Sequence, residues 1–338
     1  MVTIRTIAEK SGLSIAAVSK ALNGRPGISP EKAEQVRQLA QELGYSPNAA
    51  AQMLKTNRSH NIGILFQNRL AHEFFSEVLE AIRDTAEAKG YDITLLSSQN
   101  RDHPGFYEHA KHRRCDGVLI VQAGWKQEEI QRLVEGDIPV VSVDRIFNGR
   151  TAVVSDNVGS TQAIVRYLHD LGHTRLAFLH GEDGDVTRQR LAGFYRGCQD
   201  CGIEVPDSWV IPAKYHKADV AGRAVKALMA RPEPHPTCIL FPDDVSYLGG
   251  LTALESMGLS VPEDVSCFGY DGIQMASILR PSLATYRQDA QAMGQEAARQ
   301  LISAIEEPKT YAPQIITIQG SIQPGGTVKD LTERGSGQ

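Results

Sequence analysis

Residues Gly12–Gly24 read GLSIAAVSKALNG, a turn followed by a short amphipathic helix. Gly12 interrupts the periodic segment before it, and Ser14 stands at the N-cap, where its hydroxyl can take an orphan backbone N–H. Val18, Ala21 and Leu22 recur at helical spacing on one face, while Ile15, Ala16, Ser19 and Lys20 occupy the other. Gly24 can close the helix in a left-handed conformation. Upstream, Ile4, Ile7 and Ala8 mark a one-face helix from about Ile4 to Ser11. Downstream, Ser29 as N-cap and Pro30 at the first helical position open a third helix, with Ala33, Val36, Ala40 and Leu43 inward and Gly44 at its end. Three short helices with a tight turn between the first two form a helix-turn-helix module, whose second helix is shaped to enter a DNA major groove. Periodicity alone fits any small three-helix bundle equally well. Charge tips the reading: residues 1–60 hold eight Lys/Arg against four Asp/Glu, and the remainder holds twenty-seven against thirty-six. A basic head on an acidic body puts the attraction for phosphate where these helices are.

A chain of 338 residues predicts two or three domains, each able to bury a core. The N-terminus lacks a basic region followed by an apolar run, and no stretch approaches ~18 consecutive apolar residues, so a cytoplasmic, membrane-free protein is expected. Five cysteines, an odd number without a secretory signal, are expected as reduced thiols.

Pro47 disfavours helix at Ser46, so Tyr45-Ser46-Pro47-Asn48 interrupts the helical pattern. Ala49–Lys55 resumes it for barely two turns, too short to stand alone in water. The polar run Thr56–His60 then reads as a linker. The short segment has two readings: a helix that folds on contact with DNA, or a plain interdomain linker. From Asn61 short β-rich runs alternate with longer amphipathic segments. Strands are predicted at Ile62–Phe66, Asp92–Leu96, Gly117–Val121, Pro139–Val143, Leu176–Leu179, Cys238–Phe241 and Val265–Phe268. Helices are predicted at Glu73–Lys89, Thr161–Leu171, Gln189–Cys201, Val220–Ala230 and Val245–Met257. Such alternation implies parallel sheets covered on both faces. Its length suits two lobes, with a ligand site beyond the carboxyl ends of the strands, in the cleft. The last helix, Asp289–Ile305, and a strand near Gln314–Gln319 are expected to return to the first lobe, and Leu331–Gln338 to fray.

The stretches TIRTIAEKSGLSIAAVSKALNG, ELGYSPNAAAQMLKT, VSVDR with VVSDN, LGHTRLAFLHG, RLAGF, VPEDVSCFGYD and PSLAT stand in this order over nearly the whole chain. In this set and order the sequence resembles the LacI/GalR family of bacterial transcription regulators. The resemblance implies an all-α helix-turn-helix headpiece (1–46), a hinge helix and linker (47–60), and an α/β two-lobed core like periplasmic sugar-binding proteins (61–322). The N-lobe would comprise about 61–160 plus 290–320, the C-lobe about 161–289, and 323–338 a C-terminal tail. It further implies that Ile15, Ala16 and Lys20 read base edges and that Ser14, Ser19 and Asn23 hold phosphates. Asn48, Ala51, Leu54 and Lys55 would sit in the minor groove, with Leu54 as an intercalating wedge. Phe74, Phe75, Arg145, Arg190, Tyr215, Asp244 and Asp271 would line the effector cleft, where an Arg and an Asp can hold several hydroxyls. The partners implied are a near-palindromic double-stranded operator bound by a homodimer of the chain, and a small polar effector, a sugar or sugar phosphate. Arg145 favours the anionic choice. Ala17, Gly272 and Gln67-Asn68 depart from the common family pattern, the last two near the expected cleft.

Other motifs carry less. Cys198-Gln199-Asp200-Cys201 has metal or redox spacing, but no second ligand pair accompanies it. His109 and His112 lie among Lys111, Arg113 and Arg114, a solvated basic face rather than a metal site. Gly181–Gly184 matches neither a dinucleotide nor a P-loop fingerprint, so no cofactor is expected. Arg190 has a structural ion pair as its alternative role, and Arg145 a plain surface one. No nucleophile–base–orienter set appears, so a Rossmann-like enzyme trails as a reading. A binding protein without gene regulation is disfavoured by the helix-turn-helix.

Overall fold

Side-chain caps define the helices of the N-terminal part. In α1 (Ile4–Ser11) the Thr3 hydroxyl accepts from the Thr6 N–H and the Thr6 hydroxyl from the Thr3 N–H, both at 3.3 Å. Gly12, at φ +68°, ends α1 in the left-handed region that suits glycine. Ser14 opens α2 (Ile15–Leu22), its hydroxyl accepting from the Ala17 N–H at 3.2 Å. Ser29 opens α3 (Pro30–Glu42) in the same way, from the Lys32 N–H. Ile7, Val18, Ala21, Val36 and Ala40 meet in one small buried core, with Leu22 and Leu43 packed against it. The computed structural model describes residues 2–24, 26–45, 58–66, 72–96, 105–122 and 127–332. The chain divides into two compact units, Met1–Ser59 and His60–Gln338.

The second unit has two α/β lobes. The first begins with β1 (Asn61–Phe66), α4 (Glu73–Ala88), β2 (Asp92–Leu96), α5 (Phe106–His112), β3 (Gly117–Gln122), α6 (Gln127–Glu135), β4 (Val140–Val143) and β5 (Thr151–Ser155). The second contains α7 (Asn157–Asp170), β6 (Leu176–His180), α8 (Asp185–Asp200), β7 (Val210–Pro212), α9 (Ala218–Met229) and β8 (Cys238–Leu240). It continues with α10 (Asp244–Ser256), β9 (Ser266–Asp271), α11 (Gln274–Ile278) and β10 (Ala284–Arg287). The chain then returns to the first lobe as α12 (Ala290–Glu306) and β11 (Ile315–Ile318), and to the second as β12 (Ser321–Gln323). The sheets run β2-β1-β3-β4-β5-β11 and β7-β6-β8-β9-β10-β12, parallel throughout except that β12 is antiparallel to β10.

Alternation along each strand feeds two cores per sheet. Leu119 and Val121 join the core under α4 and α12, whereas Val118 and Ile120 face the one under α5 and α6. In the second lobe Ile239 faces α9 and α10, and Cys238 and Leu240 face α7 and α8. Residues of β4 and β5 are buried on both faces, as the interior strands of a parallel sheet require. Among the described residues no helix is long and apolar enough to cross a membrane.

Three boundaries move from their expected places. Asp156, not residue 161, starts the second lobe: its carboxylate accepts the Gly159 N–H at 2.8 Å and caps α7, which packs on α8. His60, expected in the linker, is anchored to the first lobe, its N–H donating to Asp116 Oδ2 at 2.8 Å. Residues 323–332, expected as tail, are laid along the second lobe. There Thr327 is buried, its hydroxyl donating to the Cys267 carbonyl at 2.8 Å and accepting the Ala284 N–H at 2.9 Å. Leu331, where fraying was expected to begin, donates its N–H to the Leu171 carbonyl.

These contacts contrast with Tyr247, which is fully buried with no hydrogen-bond partner for its hydroxyl among the described residues. Urea unfolding should therefore separate two isosteric changes. Thr327→Val strands a buried donor and acceptor and should cost about 1–3 kcal/mol, whereas Tyr247→Phe should be neutral or stabilising. Equal losses would show that Tyr247 has a partner.

Candidate functional site: a DNA-reading helix face and an interlobe cleft

The packing of Val18 and Ala21 into the small core fixes the rotation of α2 about its axis. Its opposite face therefore points outward: Ile15 is 46% exposed, with Ala16, Lys20 and the cap Ser14 exposed beside it. Ser19 is half-buried, and Asn23 donates from its amide to the Ser19 carbonyl at 2.6 Å, closing the helix. Asn48, Ala51, Leu54 and Lys55, and likewise Gln67-Asn68, lie outside the described residues.

In the core unit the cleft is organised by Arg190 on α8. It is 6% exposed, donates from Nε to Asn157 Oδ1 at 2.9 Å and from Nη1 to the Pro242 carbonyl at 3.0 Å. Its guanidinium lies over the Tyr270 ring, 3.5 Å from the centroid, with the Tyr215 ring at 5.7 Å. Both its protein hydrogen bonds go to neutral acceptors, so Arg190 is not a simple structural ion pair. Tyr215 is held by its hydroxyl, 2.9 Å from Thr187 Oγ1, and by its N–H on Glu182 Oε2.

Asp271 ends β9. Oδ1 accepts from Gln288 Nε2 at 2.7 Å, and Oδ2 lies 3.9 Å from His72 Nε2. Burial pushes its carboxyl up to about 7, against the opposing pull of Arg190 and His216. The backbone here is unusual: Asp271 has φ +104° and Gly272 +69°. A Cβ on Gly272 would meet Arg287 Cβ at 2.4 Å, so the departure from the family pattern at this position is a backbone requirement. Asp144, at φ +57°, accepts the Ser155 N–H from the first-lobe side, and its burial raises its pKa.

Two expected cleft residues are placed differently. Asp244 is wholly buried and satisfied, accepting from Thr285 Oγ1 at 2.6 Å and from the Ile273 N–H at 2.9 Å, so it braces β9 and β10. Its neighbour Asp243 faces the cleft loop, accepting the His216 N–H at 2.9 Å and the Ser246 N–H at 2.7 Å. Burial works against ionisation of Asp243, but the His216 and Ser246 donors outweigh it and hold its carboxyl low. Arg145 is not brought to the cluster: its guanidinium lies over Phe147 at 5.0 Å and borders a groove with Tyr107, Arg132 and Gly136. Phe74 and Phe75 are buried in the first-lobe core, Phe75 with its ring 5.0 Å from that of His72.

His72, His216, Asn157, Asp243, Tyr270 and Gln288 complete the cluster and were not found from the sequence. The Asp243-Asp244 pair offered a signal, since the first of two aspartates before a helix is its natural N-cap. The others have no local signature, because they converge from five separate segments.

A capped helix-turn-helix unit joined to a two-lobed core with a polar, charged cleft defines a DNA-binding repressor with an effector-binding core. Comparison with known proteins agrees. Residues 3–48 match the family described as bacterial regulatory proteins, lacI family, and residues 165–328 match a periplasmic binding protein-like domain. The chain belongs to the LacI family of helix-turn-helix transcriptional regulators, a family of repressors rather than enzymes. It is 29% identical over 337 residues to the HTH-type transcriptional repressor PurR of Escherichia coli, covering 98% of each chain. It is 28% identical to the probable HTH-type transcriptional repressor ExuR of Bacillus subtilis, covering 94% of this chain and 95% of that one. Its fold is shared with the Lac repressor dimer bound to operator and the anti-inducer ONPF (TM-score 0.80, 24% identity, 97% and 99% covered). It is shared also with the transcriptional regulator CelR in complex with cellobiose (TM-score 0.70, 24% identity, 97% and 100% covered).

Removing the cation should expose how the site is balanced. Arg190→Met deprives Asn157, Pro242 and the carboxylates of Asp271 and Asp144 of their donor and counter-charge, and should cost about 3–5 kcal/mol. Adding Asp271→Asn to that variant should recover part of the loss in urea denaturation at neutral pH. Strict additivity would mean that the two groups are not coupled.

Proposed function

We propose that this chain acts as a homodimeric repressor that reads a near-palindromic operator of roughly 14–20 base pairs through α2. The observation that carries the reading is the outward face of α2, where Ile15 stands 46% exposed beside Ala16 and Lys20. Residues 1–46 read DNA, 47–60 form the hinge, and the unit from 61 onward binds effector and dimerises. Ile15, Ala16 and Lys20 contact base edges, and Ser14, Ser19 and Asn23 contact phosphate. Asn48, Ala51, Leu54 and Lys55 enter the minor groove. In a binding assay with base-pair variants, Lys20→Ala should relax preference at one position per half-site and cost about 1–3 kcal/mol on the native operator. A uniform loss across all sequences would reassign Lys20 to phosphate.

The effector we propose is a small neutral polyol or sugar, seated by Arg190, Tyr215 and Asp271. Two features favour a neutral over a phosphorylated ligand. Arg145 lies on Phe147, and the charge of Arg190 is already opposed by the carboxyl groups of Asp271 and Asp144. The relative solved with cellobiose supports the sugar class, whereas the similarity to PurR leaves the chemistry of the ligand to experiment. A thermal-shift screen should compare sugars, sugar phosphates and nucleobases, since a specific ligand stabilises the fold by mass action. Asp271→Ala should abolish the response to the hit while operator binding persists. A hit that stabilises Asp271→Ala as strongly as the parent would overturn the cleft assignment.

A further inference from the structure

We propose that His72, His216 and Asp271 form a divalent transition-metal site that joins the two lobes of the core. His72 precedes α4 in the first lobe, and the other two belong to the second. One ligand atom from each lies within 4.8 Å of the others. His72 Nε2 is 2.9 Å from Nδ1 and 2.8 Å from Nε2 of His216, the rings meeting edge to face with centroids 3.8 Å apart. A single N–H cannot point at both nitrogens, so the pair is two rings crowded on one point rather than a well-aligned hydrogen bond. Two imidazole nitrogens bound to one tetrahedral metal stand about 3.3 Å apart, given metal–nitrogen bonds of about 2.0–2.1 Å. A shared ion therefore requires the His216 ring to turn until Nε2 faces the common point, and Asp271 Oδ2, now 3.9 Å from His72 Nε2, to close in by about half an ångström.

The surroundings orient the ligands as a metal site requires. Gln288 holds Asp271 Oδ1 and leaves Oδ2 turned toward His72. Asp243 Oδ1 stands 3.5 Å from His216 Nδ1, a carboxylate on the side of the ring that favours a proton on Nδ1 and so a free Nε2. His72 has the one competing interaction: its Nδ1 accepts the Phe75 N–H at 3.4 Å. Ligation through Nε2 requires a proton on Nδ1 and so gives up this long contact. Arg190 is the opposing charge near the site, but it is tied to Asn157 and Pro242 and stacked on Tyr270. His216 and Asp271 both hold positive φ, +56° and +104°, a cost tolerated where a fixed geometry is used.

Two imidazoles and one carboxylate suit zinc, nickel, copper or cobalt, whereas magnesium and calcium prefer all-oxygen shells. Three protein ligands leave a fourth position for water or for a donor atom of the effector. Because the ligands come from both lobes, the metal holds the lobes together. This inference rests on the cleft geometry and not on the identity of the effector.

The test uses the metal-stripped full chain. Titration with Co2+ should give the visible bands of a four-coordinate site at one ion per chain, displaced by Zn2+, and Zn2+ should raise the melting temperature. His72→Gln and His216→Gln should each weaken Zn2+ binding more than tenfold and abolish the cobalt bands, while Cys201→Ser leaves both unchanged. If either histidine variant fails to fold, the other decides. Undiminished Zn2+ affinity in a folded histidine variant, or no cobalt bands in the parent, overturns the proposal. Operator binding, measured in parallel on the same proteins, reports on the repressor reading independently.

Discussion

A permanently charged guanidinium buried in the core unit constrains everything around it. Arg190 cannot shed its proton, so the fold must supply acceptors or counter-charges from every side. It does so from α7 through Asn157, from the end of β8 through the Pro242 carbonyl, from β9 through the face of Tyr270, and at longer range through Asp271 and Asp144. The same arrangement explains why these carboxyl groups are tolerated at depth. Burial drives them toward neutrality, and the guanidinium opposes that drive. The cleft is thus a balanced set in which no member can be changed alone, and in which an added ligand charge must be matched by what is already there.

The second constraint is covalent. The chain crosses between lobes three times, after β5, after β10 and after β11. These crossings are tied to one another: the Asp156 N–H donates to the Ile318 carbonyl, the Gly320 N–H donates to the Tyr286 hydroxyl, and the Ser155 hydroxyl contacts Gln288. Gln288 in turn holds Asp271. A residue of the cleft and a residue of the crossing thus share one side chain, Gln288.

Most of the fold was legible because its signals are local. Ser14, Ser29 and Pro30 announce helix starts within two turns of sequence, and the buried strands of the parallel sheets read as apolar runs. Several elements that escaped are too short to show a period, β7 and β12 with three residues each, β10 with four and α11 with five, and the short helices α5 and α6, with seven and nine, were not read either. Thr151–Ser155 escaped for another reason, since its burial depends on β11 returning from more than a hundred and fifty residues away. The cleft was legible only in part. Arg190, Tyr215 and Asp271, named from the family resemblance, are brought into one cluster, whereas Asp244 is tied to Thr285 and the Ile273 N–H and its neighbour Asp243 caps α10 and meets His216. His72 and His216 meet only through tertiary structure.

The chain enters the core unit through its first lobe. His60 is fastened to Asp116, Asp92 donates its N–H to the His60 carbonyl, and β1 begins at Asn61 between β2 and β3. All of these belong to the first lobe, whereas Arg190, His216 and Asp271 belong to the second. In the proposed regulator a ligand held by the second lobe must therefore act on the first to reach the operator. The residues available for that step are those at the contact: His72 against His216, and Glu73, whose carboxylate accepts the Gln274 N–H. Both precede or begin α4, the helix that packs against α12 and spans the first-lobe core. In that proposal, a ligand that tightens this contact would be felt by α4, whose close packing on α12 leaves little room for local deformation. Coupling between effector and operator is then set by the difference in contact free energy between open and closed lobes, and it acts equally in both directions.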